Sequence, residues 1–402
     1  MKLLYLNYMV DLYGASIGST IKAKKLFKAL ERLGHSVTFY WLSERPQRQE
    51  DQEQRKSSSS LLRDLLYTPK QMLRNIPQWF RERRILRRER PDAVIVRLDA
   101  FRMSAWWACR FENLPMIVEA DGANSYEWLT FNNGRHLWDS VLLWCERRML
   151  THAVGVFTQS QEAKDYFKQQ HGVREDKITV ITNAADPVTK VEKSDIAVLK
   201  QALQIPDEAQ VIGFLGSMHH WHGIRDVYQM IHGILHDYPN ALFLFVGSGG
   251  ALEAELKSQL QDADNRVRFT GTVDNDRVQS YVQLFDIAIA PYPPIDLFYF
   301  SPMKIFEYMA AGKPIVTAGL GQMTRILQHE ESALFYEPGN LVELQQQIER
   351  LLKNSQLQKI IARNAYESFV NSHTWKHKAT ELDEFLNHCL APTSKRGTKG
   401  ST

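Results

Sequence analysis

One short stretch, Ser301–Val316, combines residue types that could hold a phosphate and a sugar hydroxyl side by side. Ser301 is a predicted N-cap, Pro302 takes the first helical position, and Gly312 ends the apolar stripe where a left-handed residue is favoured. A helix N-terminus offers unpaired N–H groups and a positive dipole to a phosphate. Glu307 lies about one and a half turns into the helix, where its carboxylate could accept hydrogen bonds from the hydroxyls of a ribose. The stretch therefore predicts a nucleotide-binding helix; the alternative is an ordinary buried helix with a capping Glu.

Two further loops have the composition of ligand-binding turns. Gly216 and Ser217 end a predicted strand, and Gly223 precedes the next helix. The segment 268–273 follows another strand in the same half of the chain. Loops at the carboxyl ends of parallel strands form the binding crevice of α/β domains. We therefore expect these loops near the Glu307 helix, although ordinary strand-to-helix turns have a similar composition.

A third small-residue loop, at 14–18, joins the first predicted strand to the first helix. Backbone N–H groups in such a loop can approach phosphate or sugar oxygens. The loop lacks the third glycine of a dinucleotide-binding fingerprint. A plain tight turn is therefore the alternative.

These loops are positioned by an alternation of strands and helices, which is typical of parallel-sheet α/β domains. At 402 residues the chain is too long for one ordinary core, and the polar stretch 186–194 predicts a linker between two domains. The predicted strands are Lys2–Asn7, Val37–Leu42, Ala93–Arg97, Met116–Glu119, Val154–Thr158, Ile178–Thr182, Val211–Leu215, Leu242–Val246, Val267–Thr270, Ile287–Ala290 and Ile315–Thr317.

Composition excludes several classes of protein. A hydrophobic content of 44% and a charged content of 24% are ordinary for a soluble globular chain. The net charge of +3 gives no case for nucleic-acid binding by the whole molecule. Three cysteines without metal-ligand spacing favour a reducing, cytoplasmic compartment and no metal site. No run approaches the ~20 apolar residues that span a bilayer, so we expect any membrane contact to be peripheral.

The stretch Ser301–Val316 and the loop at 213–223 resemble the donor-nucleotide site of the family 4 retaining glycosyltransferases, which have the GT-B fold. The resemblance implies an α/β protein with two Rossmann-like domains facing a central cleft. The implied parts are an acceptor-binding domain at 1–187, a nucleotide-sugar donor-binding domain at 195–370, a C-terminal helix at 372–390 that packs back on the first domain, and a disordered tail at 393–402.

The resemblance also implies the donor-binding residues. Ser217 and His222 stand where many family members have an Arg and a Lys that bind the diphosphate, and Tyr299 stands where the first glutamate of the family's pair would be. Lys304, one turn before Glu307, could neutralise diphosphate charge in place of the missing lysine; the alternative is a solvated or Glu-paired lysine. The implied donor-binding set is Gly14, Gly216, Ser217, His222, Gly223, Arg268, Thr272, Val273, Tyr299, Ser301, Lys304 and Glu307.

The turn that follows the strand at 116–119 is where many relatives place a His or an acid near the reacting sugar carbon. Glu119, Asp121 and Asn124 are therefore the catalytic candidates, and a helix-capping role is the alternative. Glycosyl transfer through an oxocarbenium-like state needs charge stabilisation and help for the leaving diphosphate.

The activity that the resemblance implies is transfer of a sugar from a nucleotide diphosphate sugar to a glycan or lipid-linked acceptor. We expect the transfer to retain the anomeric configuration of the sugar and to need no metal or resident cofactor. The expected setting is cell-surface polysaccharide biosynthesis. Two alternatives stay open: a nucleotide-sugar epimerase of the same fold, and a donor-binding protein without catalysis. The second is suggested by Ser217, His222 and Tyr299, which depart from the family pattern.

Residues 70–90 are rich in arginine around Trp79 and Phe80. Cationic side chains around an aromatic wedge suit an anionic membrane surface. The stretch therefore predicts peripheral docking on the inner face of a membrane. The alternative is a solvated helix that packs Trp79, Ile85 and Leu86 on the core, and nucleic-acid binding is disfavoured because the rest of the chain has no complementary patch.

Overall fold

The structure is a computed structural model that describes residues 1–8, 18–42, 61–131, 138–188, 192–218, 222–248, 250–260 and 264–391. The predicted ligand loop with Gly14 and the predicted tail at 393–402 lie outside these residues. The chain divides into two compact units. The first comprises residues 1–182 together with the stretch from Lys376 onward, and the second comprises Asn183–Trp375.

Strands and helices alternate in both units. Up to Thr182 they are β1 (Lys2–Asn7), α1 (Gly18–Glu31), β2 (Ser36–Trp41), α2 (Leu61–Leu73), α3 (Asn75–Glu89), β3 (Ala93–Arg97), α4 (Ser104–Phe111), β4 (Met116–Ala120), α5 (Asn124–Phe131), α6 (Asp139–His152), β5 (Gly155–Thr158), α7 (Gln161–His171) and β6 (Ile178–Val180). After it they are α8 (Lys193–Ala202), β7 (Gln210–Leu215), α9 (Ile224–Asp237), β8 (Ala241–Val246), α10 (Gly250–Gln259), β9 (Val267–Phe269), α11 (Val278–Val282), β10 (Ile287–Ala290), α12 (Met303–Ala310), β11 (Ile315–Ala318), α13 (Met323–Ile326), β12 (Leu334–Tyr336), α14 (Leu341–Lys353), α15 (Ser355–Ser372) and α16 (Trp375–Leu390).

The first unit is built on a parallel sheet of six strands in the order β2-β1-β3-β4-β5-β6. Its central strands are apolar runs buried along their whole length, as expected for a parallel sheet. The C-terminal helix α16 packs closely on β5. A Cβ atom at Gly155 would lie 2.5 Å from the sulfur of Cys389, so this contact requires glycine.

The second unit has its own parallel sheet of six strands, in the order β12-β11-β10-β7-β8-β9. The strand order therefore reverses between β7 and β10, where connections leave towards opposite edges. In open α/β sheets, ligands bind at the carboxyl ends of the strands beside such a switch point. The register aligns Phe214 of β7 with Ile289 of β10, so the loops after these two strands lie side by side.

Every predicted strand is present, with ends shifted by a residue or two, but β12 was missed. Its three residues are too short a run to stand out by periodicity. The predicted helix at 372–390 is also corrected, because Ser372 ends α15 and a separate helix begins at Trp375. The break at Thr374 is made by a parallel bridge to Ala185, a partner distant in sequence. None of the helices in the described ranges is long and apolar enough to cross a bilayer.

Candidate functional site

Two glycine turns meet at the carboxyl ends of β7 and β8. Gly216 and Gly247 have φ angles of 128° and 129°, which side chains other than glycine rarely adopt. A Cβ atom at Gly247 would lie 2.2 Å from the carbonyl oxygen of Gly216. The Gly216 N–H donates to Val246 O at 2.8 Å, which fixes the turn after β7 against that after β8. These two glycines therefore keep the crevice floor free of side chains.

Gly223 brings the start of α9 against the end of β10. It precedes α9 in the left-handed region, with a φ of 64°. A Cβ atom here would lie 2.9 Å from the carbonyl carbon of Pro291 and 3.0 Å from the Tyr292 nitrogen. Only glycine permits this approach, so the helix N-terminus and the strand end share the switch point.

Lys304, on the first turn of α12, is the unusual residue of this site. Its side chain is 7% exposed, and its Nζ has no hydrogen-bond partner among the residues that the structure describes. The Nζ lies 4.0 Å from the ring centre of Phe214 and 5.5 Å from that of Tyr292. A Cβ atom at Gly216 would lie 3.3 Å from it, so the ammonium sits directly beside the Gly216 turn. Burial lowers the pKa of Lys304 to about 7.

His222 approaches the same pair of aromatic rings. Its ring centre lies 6.5 Å from that of Phe214 and 6.0 Å from that of Tyr292. Its Nδ1 lies 2.6 Å from the carbonyl oxygen of Ser217. Because a carbonyl oxygen can only accept, Nδ1 donates this hydrogen bond. That contact assigns the Nδ1–H tautomer and leaves Nε2 as the nitrogen that gains a proton when the ring is charged.

The predicted N-cap role of Ser301 is wrong. Pro302 is the N-cap residue of α12, and no side chain in the described ranges caps the helix. The Ser301 hydroxyl instead accepts a hydrogen bond at 2.9 Å from the Asn183 N–H, while the Asn183 side-chain amide donates to the Ser301 carbonyl. The sequence could not reveal this because the two residues are far apart in the chain. The prediction of a left-handed residue after the helix is confirmed at Gly312, with a φ of 60°.

Glu307 lies on α12, one turn beyond Lys304, and is half-buried. The side-chain amide of Gln279, on α11, donates a hydrogen bond to Glu307 Oε2. Sequence reasoning missed Gln279, because a lone glutamine on a short helix has no motif around it. The contact fixes the orientation of the Glu307 carboxylate.

The loop after β9 completes this end of the sheet. The Thr272 hydroxyl lies 3.0 Å from that of Ser248, and the Gly247 N–H donates to the Gly271 carbonyl at 3.1 Å. Val273 follows as a half-buried residue. The turns after β8 and β9 are thus joined, which positions the backbone of Thr272 and Val273 beside the crevice.

Two of the predicted donor-binding residues have other contacts. The Arg268 guanidinium donates to the carbonyl of Leu203 at 2.8 Å, at the end of α8, so its side chain holds that helix in place. Tyr299 is 3% exposed, and its ring centre lies 4.3 Å from that of Phe300. A buried aromatic ring therefore stands where the family pattern has an acid.

The predicted catalytic acids of the first unit lie in a buried ion cluster. The Lys22 ammonium forms ion pairs with Asp121 and, at 3.4 Å, with Glu119. Arg97 lies 3.0 Å from Asp121 and 3.7 Å from Glu119, and the Tyr5 hydroxyl donates to Glu119 at 2.5 Å. Glu119 is fully buried, so this cluster fixes the ends of β1, β3 and β4 relative to α1.

The two carboxyls of this cluster differ in their electrostatics. Burial, together with the neighbouring Asp121 charge, raises the pKa of Glu119 above its usual range. Burial also acts on Asp121, but Lys22 and Arg97 outweigh it and hold the pKa of Asp121 below its usual range. Asn124 begins α5 nearby in sequence, and its Nδ2 is buried without a hydrogen-bond partner among the described residues.

Two family models match this chain. The model described as Glycosyltransferase Family 4 matches residues 18–188, and the model described as Glycosyl transferases group 1 matches residues 209–354. The first match contains β2 to β6 of the first unit and ends within the predicted linker, and the second contains all six strands of the second unit.

Three known proteins illustrate the similarity. An uncharacterized glycosyltransferase of Methanocaldococcus jannaschii is 24% identical over 240 residues, which span 56% of this chain and 58% of that protein. The 2-deoxystreptamine glucosyltransferase of Streptomyces kanamyceticus is 26% identical over 275 residues, 66% of this chain and 70% of that protein. The crystal structure of Anabaena HepE in complex with UDP-glucose superposes with a TM-score of 0.70 at 19% identity, covering 96% of this chain and 99% of HepE. With these matches and its two six-stranded parallel sheets, the chain belongs to the group 1, family 4 glycosyltransferases of the GT-B fold.

Proposed function

We propose that this glycosyltransferase transfers a sugar from a nucleotide diphosphate sugar, bound at the switch point of the second unit. The observation that carries the proposal is the buried Lys304 ammonium, which has no counter-charge among the described residues and lies beside the Gly216 turn. A buried cation without a partner is costly, so its presence at a ligand crevice favours an anionic ligand. HepE, a structural neighbour, is bound to UDP-glucose, which agrees with this assignment.

The same geometry supports distinct roles along the donor. Lys304 and His222 lie around one aromatic pair, where together they could neutralise the leaving diphosphate. The carboxylate of Glu307, oriented by Gln279, accepts hydrogen bonds from the ribose hydroxyls. The joined turns at Thr272 and Val273 receive the base through backbone groups. In this proposal protein side chains neutralise the charge of the diphosphate, and no metal or resident cofactor is included.

We further propose that the reaction retains configuration and that the acceptor is a glycan or lipid-linked glycan of cell-surface polysaccharide biosynthesis. A retaining, front-face reaction asks the protein mainly to position donor and acceptor, and the departing diphosphate is stabilised by fixed charges. Tyr299 in place of an acid is compatible with such a reaction, because the developing charge near the leaving group is met by Lys304 and His222.

The surface of α3 and α4 supports docking on the inner, anionic face of a membrane. Phe80 and Phe111 are 58% and 60% exposed, and both lie beside the Trp79 ring. An open cavity of about 580 Å³ adjoins them. It is lined by Trp79, Trp106, Trp107, Arg110 and Phe111. Exposed rings surrounded by cations suit the interface of an anionic bilayer.

The arginines of this surface are not equivalent. Arg83 and Arg87 both pair with Glu112, and Arg83 also lies over the Phe111 ring with its guanidinium carbon 3.7 Å from the ring centre. Arg84 and Arg110 are exposed and form no ion pair within the part of the chain that the structure describes. We therefore assign lipid contact to these two, and a structural role to Arg83.

Donor binding and turnover test the proposed activity. A panel of UDP-, GDP-, ADP- and dTDP-sugars is screened by thermal shift, and the stabilising ligand is measured by calorimetry. His222→Ala should weaken binding of the nucleoside diphosphate much more than binding of the nucleoside, because only the diphosphate has the negative charge that His222 neutralises. Equal effects on both ligands would contradict the His222 role. Conversion of the donor sugar with no acceptor present would indicate an epimerase, and donor binding without transfer to any acceptor extract would indicate a non-catalytic protein.

Liposome sedimentation tests the membrane assignment. Two double variants should each reduce binding to anionic liposomes: Phe80→Ser with Phe111→Ser, and Arg84→Gln with Arg110→Gln. The binding that remains should lose its salt sensitivity only in the arginine variant. Val342→Ser and Arg363→Gln are matched controls, because these residues of the second unit are similarly exposed. Equal recovery with anionic and neutral lipid would reject the assignment, and a change of oligomeric state in the aromatic variant would indicate a protein interface instead.

A further inference from the structure

Within the described part of the chain, the surroundings of Lys304 contain aromatic and neutral polar groups but no carboxylate partner. The Tyr292 hydroxyl, after β10, is buried without a partner among the described residues, and the Tyr308 hydroxyl on α12 is occupied by the Leu215 N–H and the Ile289 carbonyl. The Tyr336 hydroxyl of β12 accepts from the Tyr292 N–H. His222 is a second basic side chain beside the same rings, with its ring centre 6.5 Å from that of Phe214 and 6.0 Å from that of Tyr292.

The nearest acid on the same helix is directed to another partner. Glu307 accepts a hydrogen bond from the side-chain amide of Gln279 on α11. Burial is accordingly what moves the pKa of Lys304 down to about 7. In the ligand-free protein at pH 8 this lysine is therefore mostly neutral, which removes the cost of an isolated buried charge.

We propose that binding of the donor diphosphate transfers a proton from solvent to the Lys304 amine, so that donor affinity is coupled to pH through this one side chain. The inference rests on the proposed function, since it takes the donor diphosphate as the ligand of the switch-point crevice. The balance is simple: the neutral amine and one solvent proton give an ammonium, which then forms an ion pair with a diphosphate oxygen. No bond in the donor is broken in this step.

The direction of the pH dependence follows from linkage. A diphosphate beside the ammonium favours its charged form and raises the pKa of Lys304 in the complex. The complex then holds a proton that the free protein loses as the pH rises through 7, so affinity should fall by about 50-fold in total between pH 7 and pH 9. Below pH 7 both forms are protonated, and this contribution to the pH dependence disappears.

The experiment is titration calorimetry with UDP-glucose at pH 6 and at pH 8, in buffers of different ionisation enthalpy. UDP-glucose is chosen over UDP because its diphosphate is fully ionised across this range and releases no proton itself. The slope of the observed enthalpy against the buffer's ionisation enthalpy gives the number of protons taken up. We expect ~0.9 proton at pH 8 and ~0.1 at pH 6.

Three variants isolate the residue. Lys304→Met should abolish the uptake and weaken binding by a hundredfold or more, while circular dichroism and thermal unfolding check that it folds. Lys304→Arg keeps a permanent charge, so any binding that it retains should be independent of pH between 7 and 9. His222→Gln removes the second basic group beside the aromatic pair. Uptake at pH 8 that persists in this variant assigns the proton to Lys304, whereas loss of the uptake would assign it to His222 and overturn the inference.

The outcomes separate the inference from the function on which it rests. Tight binding of UDP-glucose with no buffer dependence at pH 8 would overturn the proton uptake and leave the donor assignment intact. Uptake that persists in Lys304→Met would assign it to another group and would also overturn the inference. If UDP-glucose does not bind, the ADP-, GDP- and dTDP-sugars are titrated in the same way, and failure of all of them at both pH values would reject the donor site and the inference together.

Discussion

Each unit of this protein buries a lysine at the end of its parallel sheet, and the two lysines differ in whether they have a carboxylate partner. Lys22 is 1% exposed and lies between Glu119 and Asp121, with Arg97 completing a cluster of two cations and two carboxylates. Lys304 is 7% exposed and, among the residues that the structure describes, has aromatic rings around it but no carboxylate partner. A paired buried charge is satisfied by the fold itself, whereas an unpaired one is satisfied only by a ligand.

The comparison changes the interpretation of the acids in the first unit. Glu119 and Asp121 came from the sequence as catalytic candidates, but their oxygens are engaged by Lys22, Arg97 and Tyr5. The geometry supports a role in holding strand ends, and a direct role in transfer stays a prediction. Lys304, whose Nζ has no hydrogen-bond partner among the described residues, is the lysine that we propose meets its counter-charge in a ligand.

The largest expected effect is that of Lys22→Met. It leaves two buried carboxylates with one cation, and breaking a buried ion pair in this way costs about 3–5 kcal/mol of stability. Because the pKa of Glu119 is raised, that carboxyl can take up a proton at low pH, and the loss should be smaller at pH 5 than at pH 8. Chemical unfolding at both pH values measures this, and Lys22→Met with Glu119→Gln should recover much of the stability. A neutral effect of the single change would remove the contrast between the two lysines.

Lys304→Met should have the opposite effect on the free energy of unfolding of the ligand-free protein. The folded pKa of Lys304 lies below its unfolded value, so the charged lysine destabilises the fold fully below pH 7, and the penalty fades as pH rises towards the ordinary lysine pKa. Its removal should raise the free energy of unfolding at pH 6 by on the order of 3–5 kcal/mol. Lys313→Met is the matched comparison on this unit. Burial also lowers the pKa of Lys313, but the Asp286 charge opposes the shift and Lys313 donates to the Gln283 carbonyl at 2.9 Å, so its gain should be smaller. Destabilisation by Lys304→Met would mean that the lysine has a counter-charge in the fold.

Glu82 tests an intermediate case, a buried acid with hydrogen-bond donors but no ion pair among the described side chains. Tyr8 and Ser104 donate to it at 2.7 Å and 2.9 Å, and burial raises the pKa of Glu82 to about 7. The unfolded state loses its proton first, so stability should fall as pH rises from about 4.5 to 7, by roughly 3 kcal/mol. Glu82→Gln should remove this slope. Parallel pH curves for both proteins would contradict the prediction.

The smallest expected effect concerns the donor site directly. Glu307→Ala should weaken donor binding at least tenfold without unfolding the protein, because two hydrogen bonds to a carboxylate contribute about 1.5–3 kcal/mol each. Gln279→Ala, which removes only the contact that orients the carboxylate, should weaken it about threefold. Calorimetry with the selected nucleotide sugar measures both. Unchanged affinity in a folded Glu307→Ala protein would reject the ribose assignment.

Much of the fold could be predicted from the sequence, because its signals are local. Apolar runs such as Ala93–Arg97 and Ile287–Ala290 gave strands with the predicted bounds, and Gly312 closed its helix in the left-handed region as predicted. The predicted strand end before Gly216 is confirmed, because β7 ends at Leu215, whereas a ligand-binding role for this turn stays a prediction. These features depend on the conformational preferences of a few neighbouring residues.

The tertiary structure decided which of the singled-out side chains are already occupied. The Ser301 hydroxyl accepts a hydrogen bond from the Asn183 N–H instead of capping α12, and the Arg268 guanidinium donates to the Leu203 carbonyl at the end of α8. Lys22 and Lys304 have the same chemistry in the sequence, and only the packing of distant strands surrounds one with carboxylates and the other with aromatic rings. The reason is physical: a residue's type fixes what it can bind, whereas the partners that reach it depend on elements brought together from far along the chain.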